Sequence, residues 1–168
     1  MSGLLRNILA FFLGLPGHAS HAATDSVTTW FWVSPFDSGV RVLKSDKYLQ
    51  YAETAQLDYL LKVGSFFSVL RSGAGFVNLA QQVRFLRPVA LFSCVRVETR
   101  LLHADDKCAY FLHALRVRGE LAAEILVKMK FKKSGRTLAP STFLSHDFAT
   151  APERVHAWEA ALQAAGES

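Results

Sequence analysis

Cysteine is nearly missing from this chain of 168 residues: Cys94 and Cys108 are the only two, and neither belongs to a CxxC pair or a Cys/His cluster. That rules out a disulfide framework and gives no structural zinc site. Two buried free thiols in a reducing compartment is the ordinary reading. No apolar run is long enough to cross a bilayer as a standard helix. Internal repeats and low-complexity segments are absent as well. Histidine is missing between His21 and His103. Charge is sparse, at 20% of residues against 51% hydrophobic, so the main body is globular rather than disordered.

The charge that is present leans positive, a net +5, which favours anionic partners. Nucleic acid, a membrane surface and a phosphorylated cofactor all satisfy that sign. Nucleic acid fits worst, because the aromatic residues follow core phase instead of alternating with basic ones on an open face. The length suits one domain with short appendages. Thirteen phenylalanines load the core, or a tunnel within it, with rings.

Residues 1–25 stand apart. Leu4, Leu5, Ile8, Leu9, Phe11, Phe12, Leu13 and Leu15 form a short apolar run with one basic residue, Arg6, followed by a small-residue tail. The layout imitates a secretory signal with Ser20-His21-Ala22 as a weak cleavage site. An interfacial or core-docking helix is the stronger reading, since the remainder looks intracellular. A cytoplasmic location is expected, with membrane contact through residues 4–15 and a secretion signal both left open.

The stretch 47–64 predicts one helix of about five turns. At 100° per residue Tyr48, Ala52, Ala55, Tyr59 and Val63 share one arc, and Gln50, Thr54, Asp58 and Lys62 fall opposite. The apolar arc covers about half the circumference, as for a helix enclosed by a sheet. Ser45 and Asp46 are natural N-caps, and Gly64 is a C′ stop. Glu53 sits on the boundary of the arcs, where a carboxylate is partly desolvated.

Before the helix, 27–33 is a strand by its β-branched and aromatic content, ended by Pro35. After it, 65–71 adds a helical turn and 72–75 a flexible joint. The period then changes to 2. Val77, Leu79, Val83 and Phe85 alternate with Asn78, Gln82 and Arg84, and three later sets keep the same period. These are Val95 to Leu101, Ala109 to Val117, and Ala123 to Phe131. Tight turns at 103–107 and 119–120 join them into an antiparallel meander with one apolar and one polar face. Residues 134–149 are loop-like, and 152–165 is a terminal helix. The parts are thus an N-terminal segment (1–25), a main domain (26–145) and a C-terminal helix (146–168).

Three pieces of wording carry a resemblance. They are Pro35-Phe36-Asp37 ahead of the helix, Tyr48-Leu49 with Glu53-Thr54-Ala55 at its start, and Val83-Arg84-Phe85-Leu86-Arg87-Pro88 with Val97 to Leu102 beyond it. In order and spacing they resemble the hotdog-fold acyl-CoA thioesterases, of the 4-hydroxybenzoyl-CoA thioesterase-like and thioesterase-superfamily-member kind. The resemblance covers residues 30–140. It implies an α+β hotdog fold, a curved antiparallel sheet wrapped round one long central helix. It also implies a hydrolase of lipid metabolism that cleaves an acyl-CoA or related thioester. No cofactor beyond the substrate's own coenzyme A, and no metal, is implied. The departures are that Val42-Leu43-Lys44-Ser45 stands where the family has His and paired Asn, and Gln56 where it has Arg. These leave open a catalytically inactive acyl- or lipid-binding module. A dehydratase of this fold needs a catalytic His on the helix or its preceding loop, and none is there.

A thioesterase of this type needs a carboxylate at the thioester carbon and a helix N-terminus at its oxygen. Asp37 and Glu53 are the catalytic candidates, and Lys47, Tyr48 and Leu49 mark the helix end that stabilises the oxyanion. Asp37 is equally an ordinary turn residue ahead of Ser38-Gly39, and Glu53 equally a partner of a basic residue or part of a dimer seam. Lys128, Lys130, Lys132, Lys133 and Arg136 run along one strand and out through a turn. Lys132, Lys133 and Arg136 are candidates to hold the phosphates of coenzyme A, against the plainer role of a solvated face that discourages edge pairing. His103, Asp105 and Asp106 belong to a hairpin turn, and His113 is a core histidine by phase. A lone sheet of this kind leaves an edge, so a homodimer or dimer of dimers is expected.

Overall fold

The structure is a computed structural model that describes residues 21–144 and 150–166. The apolar run before residue 16 lies outside the described residues. Six strands form one sheet: β1 (Val27–Trp32), β2 (Gly75–Phe85), β3 (Cys94–Ala104), β4 (Ala109–Val117), β5 (Glu120–Lys133) and β6 (Arg136–Leu138). The order is β1-β3-β4-β5-β2, antiparallel throughout, with β6 paired to the end of β5. The short β6 lies inside the stretch that was expected to be loop.

Helix α1 (Ser45–Lys62) follows β1 and packs against β3, β1 and β4. The turn-length α2 (Ser65–Arg71) follows it. Gly64, at φ 78°, holds the left-handed conformation that ends α1 and starts α2. This is the hotdog fold, with Tyr51, Ala52, Ala55, Tyr59 and Leu60 buried against Val95, Val97, Phe111, Ile125 and Val127. Rings lock the contact: Phe31 stacks on Tyr51 at 4.6 Å, and Tyr59 meets Phe111 edge-on at 5.4 Å.

Four expectations need correcting. The polar arc of α1 does not face water: Thr54 and Asp58 are buried. Asp58 accepts from Thr29 Oγ1 of β1 at 2.6 Å and pairs with Lys62 at 2.7 Å, and Thr54 bonds back to the Gln50 carbonyl, so both buried side chains are paired. In β2 the phase breaks. A bulge between Asn78 and Ala80 turns Val77 and Leu79 outward, while Val83 keeps its inward register opposite Ile125. The outer face of the sheet is not simply polar either. Helix α3 (Glu153–Gly166) lies on it, and Val155 and Trp158 seal Cys108, Tyr110, Leu112 and Leu126 into a second core. Lys128 pairs there with Glu159 at 2.7 Å. Finally, only Cys108 is buried; Cys94 is exposed.

Candidate functional site

The start of α1 lies two residues earlier than periodicity alone gives. Lys44 is the N-cap residue in extended conformation, and no side chain caps the helix; Ser45 and Asp46 are its first two residues. Their N–H groups are the geometrically free donors at this end. The Lys47 amide is already given to the Lys44 carbonyl at 3.0 Å, and by helix geometry those of Tyr48 and Leu49 belong to the ladder. Of the three residues expected to mark the oxyanion end, Lys47 lies in the first turn with its amide already bonded and Tyr48 and Leu49 follow it into the ladder, while Ser45 and Asp46, read from spacing as caps, carry the free amides.

A groove of about 330 Å³ opens on this helix end, lined by Val42, Leu43, Ser45, Tyr48, Phe85 and Leu86 with Arg87 and Pro88 beside them. Tyr48 and Phe85 meet edge-on at 5.0 Å. Burial raises the Tyr48 phenol above its ordinary range, partly offset by a hydrogen bond from the Val89 backbone. Phe85 and Leu86 remain open to solvent. The groove therefore joins free backbone donors to an apolar wall. It can take a polar carbonyl at one end of an apolar ligand.

The loop that carries Asp37 is stitched to this helix end. The Lys44 amide donates to the Asp37 carbonyl at 3.1 Å, the Gly39 amide to the Val42 carbonyl at 2.9 Å, and the Leu43 amide to the Val89 carbonyl at 2.8 Å. Asp37 is itself buried. Its carboxylate accepts from the Ser34 hydroxyl at 2.6 Å and from the Ser34 amide at 3.3 Å. Those bonds give Asp37 the turn role that spacing allowed.

Glu53 lies elsewhere. It is exposed, on a narrow strip of α1, and its carboxylate meets no hydrogen-bond or ion-pair partner among the described residues. The expected desolvation is not present in the single chain. Eight residues of helix put Glu53 about 12 Å from Ser45. In one chain it cannot reach a carbonyl held by the Ser45 amide; a second chain would have to bring it there.

Lys132, Lys133 and Arg136 are exposed around the β5–β6 turn. About 40 Å of strand separates that turn from Glu120, at the helix-start end of β5. The structure does not bring this cluster to the groove.

His113 is fully buried on the inner face. Its Nδ1 meets Thr99 Oγ1 at 2.9 Å, and its Nε2 finds no partner among the described residues. Burial alone drives its pKa down to about 3, so it is a neutral core residue. Asp105 is a turn organiser. Burial pushes its carboxyl upward, but bonds from the Lys107 and Cys108 amides and the Tyr110 hydroxyl, with the charge of His103, outweigh that and hold it below the usual range.

Comparison with known proteins follows the same lines. The family model of the thioesterase-like superfamily matches residues 40–159. No curated protein sequence matches the chain. Among solved structures, the Staphylococcus aureus protein SAV2348, in complex with CoA, is 16% identical with a TM-score of 0.66, covering 79% of this chain and 92% of its own. The DHNA-CoA thioesterase of the same organism is 16% identical with a TM-score of 0.65, over 84% and 93%. The probable thioesterase YbaW of Escherichia coli is 18% identical with a TM-score of 0.63, over 70% and 98%. At these identities the likeness establishes the shared fold.

Proposed function

Since the chain belongs to the thioesterase-like superfamily, we propose that it hydrolyses an acyl-CoA thioester in the groove at the start of α1. One observation carries this reading: the N-terminus of the enclosed helix has no side-chain cap and borders an apolar groove. Free N–H groups and the positive end of the helix dipole favour an oxygen on which negative charge develops. The carbonyl of the thioester fits there, with its acyl part against Tyr48, Phe85 and Leu86.

Asp37 is the acid we assign, because its own loop is bonded to the helix cap. As a general base it takes a proton from water while the oxygen adds to the thioester carbon. The C–S bond then breaks, and the departing thiolate takes that proton. The Ser34 hydroxyl and amide hold the carboxylate turned inward, so they must loosen as substrate enters. Glu53 serves only if a second chain delivers it.

A homodimer completes the proposal. Strand β2 is an open edge of 11 residues that presents outward-turned Val77 and Leu79. Pairing two such edges covers both. The second reading is a non-catalytic acyl-binding module. It is favoured by the inward turn of Asp37 toward Ser34 and by the absence of this residue from the groove lining. Turnover of a panel of acyl-CoA chain lengths separates the two. Release of CoA supports hydrolysis, whereas saturable binding without release leaves only the module.

No helix among the described residues is long and apolar enough to cross a membrane. Peripheral contact through residues 4–15 remains a proposal of the sequence.

A further inference from the structure

The groove at the start of α1 does not stop at Pro88. It shares Arg87 and Pro88 with a second hollow of about 490 Å³. That hollow shares Ala90, Ser93, Val117 and Arg118 with a third of about 600 Å³, which ends on Trp30 and Trp32. Together they make one trough along the end of the sheet where Phe85, Glu120, Val117, Cys94 and Trp32 terminate their strands. Four strand spacings put about 19 Å between its two ends. Only a long ligand can use both.

Its chemistry changes along its length. The helix end is apolar, with free amides. The middle and far end carry Arg87, Arg118, Arg116 and Arg96. Arg87 pairs with Glu120, while Arg96 and Arg116 share Glu98 at 2.6 and 3.1 Å. Arg118 pairs with no carboxylate among the described residues. Four guanidiniums against two carboxylates leave positive charge uncompensated, in the side chain best shaped for phosphate. At the terminus Trp30 and Trp32 are 62% and 64% exposed, an open aromatic surface that a flat ring can stack on.

Two of the three non-glycine residues at positive φ among the described residues lie here; the third, Ser134 at φ 49°, sits in the β5–β6 turn. Phe92 has φ 63° and Arg118 φ 51°, although neither is glycine. Both line the far hollow. Arg118 is the first residue of the two-residue Arg118-Gly119 turn, where Asn or Gly suits that conformation far better. Residues held at such angles collect at binding sites.

Resting on the thioester reading above, we infer that this trough seats the nucleotide end of coenzyme A. The pantetheine arm passes Pro88 and Ala90, the phosphates meet Arg87 and Arg118, and the adenine stacks on Trp30 and Trp32. The site takes over the role that spacing had assigned to Lys132, Lys133 and Arg136.

The test is binding of CoA and adenosine 3′,5′-bisphosphate by calorimetry, together with turnover of an acyl-CoA and of the matching acyl-N-acetylcysteamine thioester, which lacks the nucleotide. Arg118→Asn and Trp32→Ala are each expected to weaken CoA binding by about tenfold and to raise KM for acyl-CoA by a similar factor. Turnover of the short thioester should not change, and Arg118→Asn should keep or raise Tm, which a merely structural role would lower. Arg118→Lys should restore part of the affinity. The triple variant Lys132→Ala, Lys133→Ala, Arg136→Ala should bind as wild type does. Wild-type CoA binding that depends on Arg118 and Trp32, without any hydrolysis, keeps the trough and ends the thioesterase reading. Hydrolysis with CoA affinity indifferent to both residues, or lost only in the triple variant, ends the trough and keeps the enzyme. A wild-type protein that binds no CoA overturns both.

Discussion

His113 holds one ring nitrogen against Thr99 and buries the other, with a pKa brought down to about 3 by desolvation. In the unfolded chain the same ring titrates near its ordinary 6.5. Between those values the unfolded state binds the extra proton. The stability is therefore complete above about pH 6.5 and falls as pH drops, by up to about 1.4 kcal/mol per unit. His113→Gln is expected to flatten that acid limb in denaturant titrations at a series of pH values; an unchanged slope contradicts the assignment. Asp58 is a second residue-scale case. Asp58→Ala strands the Lys62 ammonium and the Thr29 hydroxyl in a partly buried pair, and about 2 kcal/mol of stability should be lost in urea. Neither role is written in residue type. The phase of His113 placed it inward, but nothing in the sequence says that Thr99 stands opposite it, because register is a tertiary fact. The buried state of Asp58 was hidden for the same reason: its partner Thr29 lies across the fold, on β1.

At the scale of elements, strands β3, β4 and β5 were legible because a sustained period of 2 gives their phase, although their pairing slips between Leu101 and His103 and between Leu115 and Arg116. Strand β2 was legible only as a strand. One extra residue at its bulge reverses the face of Val77 and Leu79, and alternation cannot reveal an insertion that its own pairing partner defines. The end of α1 was written plainly in Gly64. Gly64→Ala forces a Cβ into a left-handed conformation at φ 78° and should cost about 1 kcal/mol, read as a fall in Tm. The start of α1 was less plain, since Ser45 and Asp46 both look like caps and neither acts as one. The role of α3 was invisible, because its contacts fall on a strand face that also carries lysines. Trp158→Ala opens the second core between α3 and the sheet and should lose about 3 kcal/mol while leaving the groove at the other face intact. A parallel loss of acyl-CoA turnover at temperatures well below the new Tm would contradict that separation.

For the molecule as a whole, the fold followed from the order of strand, long helix and strands, while the site did not. The helix start, the Asp37 loop, the 86–93 crossover and the Arg118 turn come together only because Trp32, Cys94, Val117, Glu120 and Phe85 all end their strands at one end of the sheet. Sequence spacing picked Asp37, which the fold ties to the helix cap, and also Lys132, Lys133 and Arg136, which the fold carries to the far end of β5. Assembly belongs to this scale too. An open β2 edge is expected to give a dimer by light scattering, and Val77→Lys with Leu79→Lys should shift it toward monomer. If Glu53 is delivered across that seam, monomer formation and Glu53→Gln should abolish turnover alike. The assignment to Asp37 expects Glu53→Gln to retain most of it.

The most direct measurement is acyl-CoA hydrolysis by Asp37→Asn and Glu53→Gln beside wild type, followed by loss of thioester absorbance. With Asp37 as the base at the start of α1, Asp37→Asn should lower kcat by at least about a hundredfold with KM little changed, while Glu53→Gln stays within about threefold. Full activity in Asp37→Asn contradicts the account.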